Sequence, residues 1–300
     1  MNRIDEKFRE LKAAGQKAFI PYVSAGDPDD ETTVEIVLAL ERSGADLVEL
    51  GVPYSDPLAD GPVIQDAFSR VLARNFRVAD TWEIVRCIRR RSQVPLLTMV
   101  SYSLVYRYGA ERYVSEALAS GIDGAIIPDL SVEEGKEVLD LAAGRDFATV
   151  LLVAPTTEAA RERVIVERST GFVYCISVVG ITGERATLPP ELRDHVLRLK
   201  KLTAKPVCVG FGVSRPEHVK TVASIADGVI VGSALVKLIA THAAAPKKGS
   251  RTLFSSAYKR PSGQTELNGK KRISSFSPAD RERLLDELAR FTRDLTAPLR

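Results

Sequence analysis

Eight short apolar runs recur along the chain: AFIPYV (18–23), ADLVEL (45–50), PLLTMV (95–100), DGAIIP (123–128), ATVLLV (148–153), FVYCIS (172–177), PVCVGF (206–211) and DGVIVG (227–232). Most are near-continuous in Val, Ile and Leu, the pattern of parallel strands covered on both faces. Amphipathic stretches separate them. Residues 30–43 place Val34, Val37 and Leu38 on one stripe that Leu40 widens, and residues 81–91 place Trp82, Val85 and Ile88 at helical spacing before turning basic. Alternating β and α units in a chain of 300 residues predict an α/β fold, a (β/α)8 TIM barrel in a single domain over 1–300. A doubly wound open sheet is the alternative.

Three segments lie outside the repeat. Ile4, Phe8 and Leu11 mark an extra N-terminal helix suited to covering the barrel floor. SPAD at 277–280 opens the last helix, with Ser277 as cap, Pro278 in the first turn, and Leu284, Leu285, Leu288 and Phe291 as the buried face. Between the eighth unit and that helix, residues 243–276 are rich in Ser, Gly, Lys and Arg without period, which reads as an inserted, disordered loop. Within it, residues 247–272 carry eight Lys or Arg against one Glu, so that stretch is +7 and the rest of a +3 chain is −4. A solvated surface insertion is the plain reading, and contact with an acidic partner or RNA the sharper one. The remainder has no global pull toward nucleic acid.

Cys87, Cys175 and Cys208 show no metal-like spacing and sit in apolar or periodic contexts, which fits reduced thiols in the cytoplasm. The first fifteen residues are too charged for a secretion signal. No apolar run approaches the roughly 20 residues that span a bilayer.

Catalytic groups of such barrels sit at the C-terminal ends of strands. The second run carries a carboxylate next to last, Glu49, and enters a stiff acidic loop, ELGVPYSDPLADG (49–61). Alternation puts Leu47 and Glu49 on one face and Val48 and Leu50 on the other. Facing the axis, Glu49 would sit in a partly dry cavity that raises its pKa toward neutrality, as a general acid or base requires. Asp60, on the loop pinned by Pro53 and Pro57, could hold a substrate N–H. Turn and cap roles are the structural alternative for Asp60, and more so for Asp56.

Glycines gather late in the chain. VGFGVS (209–214) and VGSAL (231–235) follow the seventh and eighth strands, where barrels of this type build phosphate sites from bare N–H groups and a helix N-terminus. Gly210, Gly212, Gly232 and Ser233 are the candidates. GITG (180–183), with Thr182 and Gly183, is a third, on a loop long enough for a mobile lid. Tyr22, Tyr102, Tyr174 and Phe211 recur one per strand and could line a pocket for a flat apolar ligand, although Tyr174 reads equally as core. His195, His218 and His242 fall away from strand ends and read as surface residues. No metal or dinucleotide motif appears, and no lysine ends the third to sixth runs.

With those residues quoted, the sequence resembles the tryptophan synthase α chain family. ELGVPYSDPLADGPVIQDA (49–67) is similar to that family's signature, supported by PYVSAGDPD (21–29), IIPDL (126–130), APTT (154–157), VGITG (179–183), GFGVS (210–214) and GSALV (232–236). The resemblance spans essentially all but 243–276. It implies a barrel that cleaves indole-3-glycerol phosphate to indole and glyceraldehyde 3-phosphate, with Glu49 as acid/base and Asp60 on the indole nitrogen. It implies phosphate held by Gly183, Gly210, Gly212, Gly232 and Ser233, no metal or cofactor of its own, and a pyridoxal-phosphate β chain as partner in an α2β2 tetramer. Ser103 and Leu104 stand where many relatives have Asn and Pro. A non-catalytic allosteric partner of the β chain, or another phosphosugar barrel enzyme, are the competing readings.

Overall fold

The computed structural model describes residues 2–57, 60–177, 190–210, 212–243 and 276–300. Its strands are β1 (Ala18–Ser24), β2 (Val48–Gly51), β3 (Leu96–Met99), β4 (Gly124–Ile126), β5 (Ala148–Val150), β6 (Leu152–Val153), β7 (Val173–Ile176), β8 (Val207–Gly210) and β9 (Gly228–Val231). All pair in parallel, in the order β5-β4-β3-β2-β1-β9-β8-β7-β6. The ends of that order, β5 and β6, are consecutive in the chain and part only at Leu151, so the sheet closes on itself. The eight apolar runs are thus the eight staves of a TIM barrel, the fifth broken in two. Leu151 turns aside because its N–H donates to the Ser169 hydroxyl (3.1 Å). Its carbonyl still accepts from Tyr174 (3.1 Å), across the break.

Alternation sorts each strand between two apolar layers. Phe19, Val23, Val48 and Leu50 pack outward under the helices, whereas Ile20, Leu47, Leu97, Phe172 and Ile230 fill the interior. The helix Arg3–Ala13 closes the floor, with Ile4, Phe8 and Leu11 in the interior cluster and the Phe8 and Phe172 rings 5.7 Å apart. Asn2 caps that helix and fastens it, donating to the Asp123 and Asp146 carbonyls (both 2.8 Å). Leu11→Ala is expected to cost about 2–3 kcal/mol of stability in urea unfolding, because it opens a cavity in this plug. Its turnover should match the parent's, since the floor lies at the opposite end from the site.

The floor carries a repeat that local reading passes over: SGAD (43–46), SGID (120–123) and SIAD (224–227). Each aspartate stands just before a strand and accepts the first free N–H of a neighbour: Asp46 from Phe19 (2.8 Å), Asp123 from Leu96 (2.8 Å), Asp227 from Val207 (3.0 Å). Each also meets a cation, through Arg300, Arg89 and Lys200 respectively. These carboxylates are structural and neutralised.

The helices follow the sequence reading with small shifts. Asp30–Arg42 buries Val34, Val37, Leu38 and Leu40, and Val78–Arg89 begins three residues before the segment 81–91 read from sequence. In the last helix, Pro278–Thr296, the Ser277 hydroxyl accepts from the Asp280 N–H (3.1 Å); Leu284 and Leu288 are buried, Leu285 and Phe291 half-buried. Two histidines differ from expectation. His195 and His218 are only 4 % and 8 % exposed rather than on the surface. His195 lies between the Cys175 thiol and the buried Glu162 carboxylate, its Nε2 3.1 Å from Glu162, and Arg198 grips the same carboxylate with two bonds (3.0 and 2.7 Å). His242 is half-exposed and meets Glu287 (2.7 Å). The inserted segment falls, except for Ala243 and Phe276, outside the described residues.

Candidate active site

Glu49 faces inward beside Tyr22 on β1 and Leu97 on β3. Its side chain has no exposure, and neither carboxylate oxygen has a hydrogen-bond partner among the described residues. No cation among the described residues reaches it, in contrast with the floor aspartates. Burial therefore holds its pKa well above the ordinary glutamate value, since nothing compensates the desolvated charge.

Two phenols flank this carboxyl, Tyr22 and Tyr174, each 3 % exposed. Burial raises both, and the negative charges of Asp60 and Glu49 add to the rise. Each ring lies across the end of a neighbouring strand where a side chain is missing. A Cβ on Gly51 would come 2.0 Å from the Tyr22 hydroxyl, and one on Gly210 would come 2.2 Å from that of Tyr174. Gly210→Ala is expected to displace Tyr174, costing about 1–3 kcal/mol in unfolding and raising the KM of substrate.

Above these groups opens a cleft of about 930 Å³, partly continuous with solvent. Its polar walls include Glu49, Asp60, Tyr22, Tyr54, Tyr174 and Asp129, and its apolar walls include Ile64, Phe68, Met99, Leu152 and Ile230. Asp60 is carried to the rim by the acidic loop and the helix Pro62–Leu72 that follows it. Burial pushes it up to about 6, with the nearby Asp129 adding to the rise and a hydrogen bond from Tyr54 opposing it. Gly212, Val213, Gly232, Ser233 and Ala234 line the same cleft. Gly232 caps the helix Ser233–His242 and lines the cleft with Ser233 and Ala234, so the positive end of that helix's dipole lies at the cavity wall.

Of the residues expected from sequence, the structure gathers Glu49, Asp60, Tyr22, Tyr174, Gly212, Gly232 and Ser233 around one cleft. Gly210 ends β8 beneath the Tyr174 ring and is not part of the cleft wall. Tyr102 begins the helix Tyr102–Tyr108, packs against the outer layer, and reaches the cleft only through its N–H, which donates to Asp129 (2.7 Å). Asp56 is exposed and bonds the Ser55 hydroxyl (2.6 Å). Thr182, Gly183 and the GITG loop, and Phe211, lie outside the described residues. Sequence reasoning passed over Tyr54, Phe68 and Asp129. Asp129, held by the Ser101 hydroxyl (2.7 Å) and the Tyr102 N–H, directly follows the fourth apolar run, so the rule that site residues sit at strand ends and in the loops after them had a signal for it.

Comparison with known proteins gives a consistent picture. Residues 8–261 match the family model described as tryptophan synthase alpha chain. The chain is 46 % identical over 240 residues to the tryptophan synthase alpha chain of Caldanaerobacter subterraneus subsp. tengcongensis, covering 80 % of this chain and 91 % of the relative. Among solved structures it is similar to tryptophan synthase subunit alpha from Legionella pneumophila, with TM-score 0.80 and 32 % identity over 100 % of this chain and 98 % of that one. It is likewise similar to a chain of the tryptophan synthase a2b2 complex of Pyrococcus furiosus, with TM-score 0.76 and 36 % identity over 94 % and 99 % of the two chains.

Proposed function

Because this chain belongs to the tryptophan synthase alpha chain family, its reaction is the lyase cleavage of indole-3-glycerol phosphate, and we propose that Glu49 and Asp60 carry it. The observation that supports these roles is a carboxyl buried in the cleft without partner or counter-ion among the described residues, which holds its proton more tightly than an ordinary glutamate.

The steps balance on one proton. Glu49, as the acid, protonates C3 of the indole and becomes a carboxylate. The ring nitrogen of the resulting indolium keeps its N–H, whose growing positive charge Asp60 stabilises as an anion. Glu49 then removes the proton of the glycerol hydroxyl next to the ring. The carbon–carbon bond breaks, its electrons neutralise the indolium, and indole and glyceraldehyde 3-phosphate leave with Glu49 protonated again. The indolium is the electron sink. Gly212, Gly232 and Ser233 would take the phosphate at the helix N-terminus, far enough from the reacting bond that this grip serves orientation. The apolar walls would take the indole.

We further propose a tryptophan synthase β chain as partner, in an α2β2 assembly like that named for the Pyrococcus furiosus complex, and a cytoplasmic location. No helix among the described residues is long and apolar enough to cross a membrane. Indole release from indole-3-glycerol phosphate, measured with the chain alone and with β chain added, tests the assignment. Measurable release by the chain alone supports a working lyase. Release that is absent under both conditions would favour a chain kept only as an allosteric partner.

A further inference from the structure

Asp60 sits on a loop, yet the role given to it above needs placement to a fraction of an ångström. Tyr54 bonds its carboxylate, and the side-chain contacts that fix its backbone come from a residue four positions beyond the loop. The Gln65 amide donates both its hydrogens backward, to the carbonyls of Pro57 (3.2 Å) and of Asp60 itself (2.7 Å). The Asp60 N–H also returns to the Pro57 carbonyl (3.1 Å). Gln65 thereby closes the acidic loop onto the first turn of the helix Pro62–Leu72.

That helix is itself tied to the barrel at its far end. Arg70 grips the Asp27 carboxylate with two bonds (3.1 and 2.8 Å), and Arg74 reaches the Gly26 carbonyl. Asp27 is only 2 % exposed, on the turn after β1. The strand that carries Tyr22 and pairs beside Glu49 is therefore connected, through Asp27, Arg70, the helix and Gln65, to the carbonyl of Asp60. Apolar contacts of Ile64, Ala67 and Phe68 hold the helix against the cleft, and directional bonds join its two ends to the neighbouring loops.

We propose that Gln65 is a positioning residue for the lyase reaction, holding the Asp60 carboxylate in register with Glu49 by clamping the acidic loop to a helix that Asp27 and Arg70 anchor. This rests on the role assigned to Asp60. The donors, not the size of the side chain, do the holding. Glutamate at this position would set carboxylate oxygens against two carbonyl oxygens and lose the clamp with almost no change in volume.

The test compares the parent with Gln65→Ala, Gln65→Glu, Asp60→Asn and the double variant Asp60→Asn/Gln65→Ala in steady-state cleavage of indole-3-glycerol phosphate across pH. Unfolding midpoints confirm that each variant is folded. Gln65 is half-buried on a helix surface, so both of its substitutions should fold. Both are expected to lower kcat about 10- to 100-fold, the scale of a misplaced catalytic group, with KM changed by less than about threefold. The acid limb of their pH profile should move below the parent's position near 6, because a loosened loop exposes Asp60 to water. In the double variant the two losses should not multiply, since Gln65 acts through Asp60. A Gln65 variant with parental kcat and acid limb, or multiplicative losses, beside a slow Asp60→Asn, would overturn the inference alone. Full activity of Asp60→Asn would overturn the role of Asp60, and this inference with it.

Discussion

Glu49→Gln is expected to lower turnover of indole-3-glycerol phosphate by about 10³-fold, the middle of the range for loss of a general acid–base. One group donates and then recovers the proton in the scheme above, so its loss affects both halves. The same substitution should stabilise the fold, because Glu49 is buried with no partner among the described residues. The sign follows from linkage. The native pKa of Glu49 lies well above its unfolded value, so between the two the folded state binds more protons. Stability is therefore lost as pH rises through that window, and Gln removes the loss. Denaturant midpoints of the variant should exceed the parent's at pH 8 and converge with it toward pH 4. Equal midpoints at both pH values would mean that this carboxyl is solvated in the native state.

Asp60→Asn is expected to cost about 10²-fold in kcat, as does removal of one electrostatic contact to a developing charge. Asn can still accept the indole N–H but supplies no negative charge to the indolium. The pH profile carries the more specific signature. Asp60 must be ionised to act, and burial places its pKa at about 6, so the parent should lose kcat/KM as pH falls through that value. The Asn variant should lack this limb and keep only the fall on the alkaline side, where Glu49 loses its proton.

Much of this architecture is legible in the sequence because it depends on local chemistry. Strands buried on both faces must be continuous in Val, Ile and Leu, and the period of two sends Leu47 and Glu49 to one face in any sheet. The Leu151 break is not legible, since it depends on Ser169 across a helical connection. The site divides the same way. Glu49 is found by its strand-end position, and Asp129 could have been. The tie between Gly210 and Tyr174 joins side-by-side strands 36 positions apart in the chain, and no window of sequence contains both. His195 reads as a surface residue because it falls away from any strand end. It is buried because Glu162, on the neighbouring helix, turns inward to meet it. The floor aspartates and the cleft carboxylates look alike as letters. What separates them is the cation each floor aspartate meets and Glu49 lacks.

The central claim is that burial makes the carboxyl of Glu49 hold its proton well above the pH at which a free glutamate loses it. Carboxyl carbon NMR of glutamate-labelled protein, with the Glu49 resonance assigned from Glu49→Gln, measures this directly. A titration midpoint well above the ordinary glutamate range is the predicted result. A midpoint near 4.3, the value of a free side chain, would contradict it and leave the lyase without its proton donor.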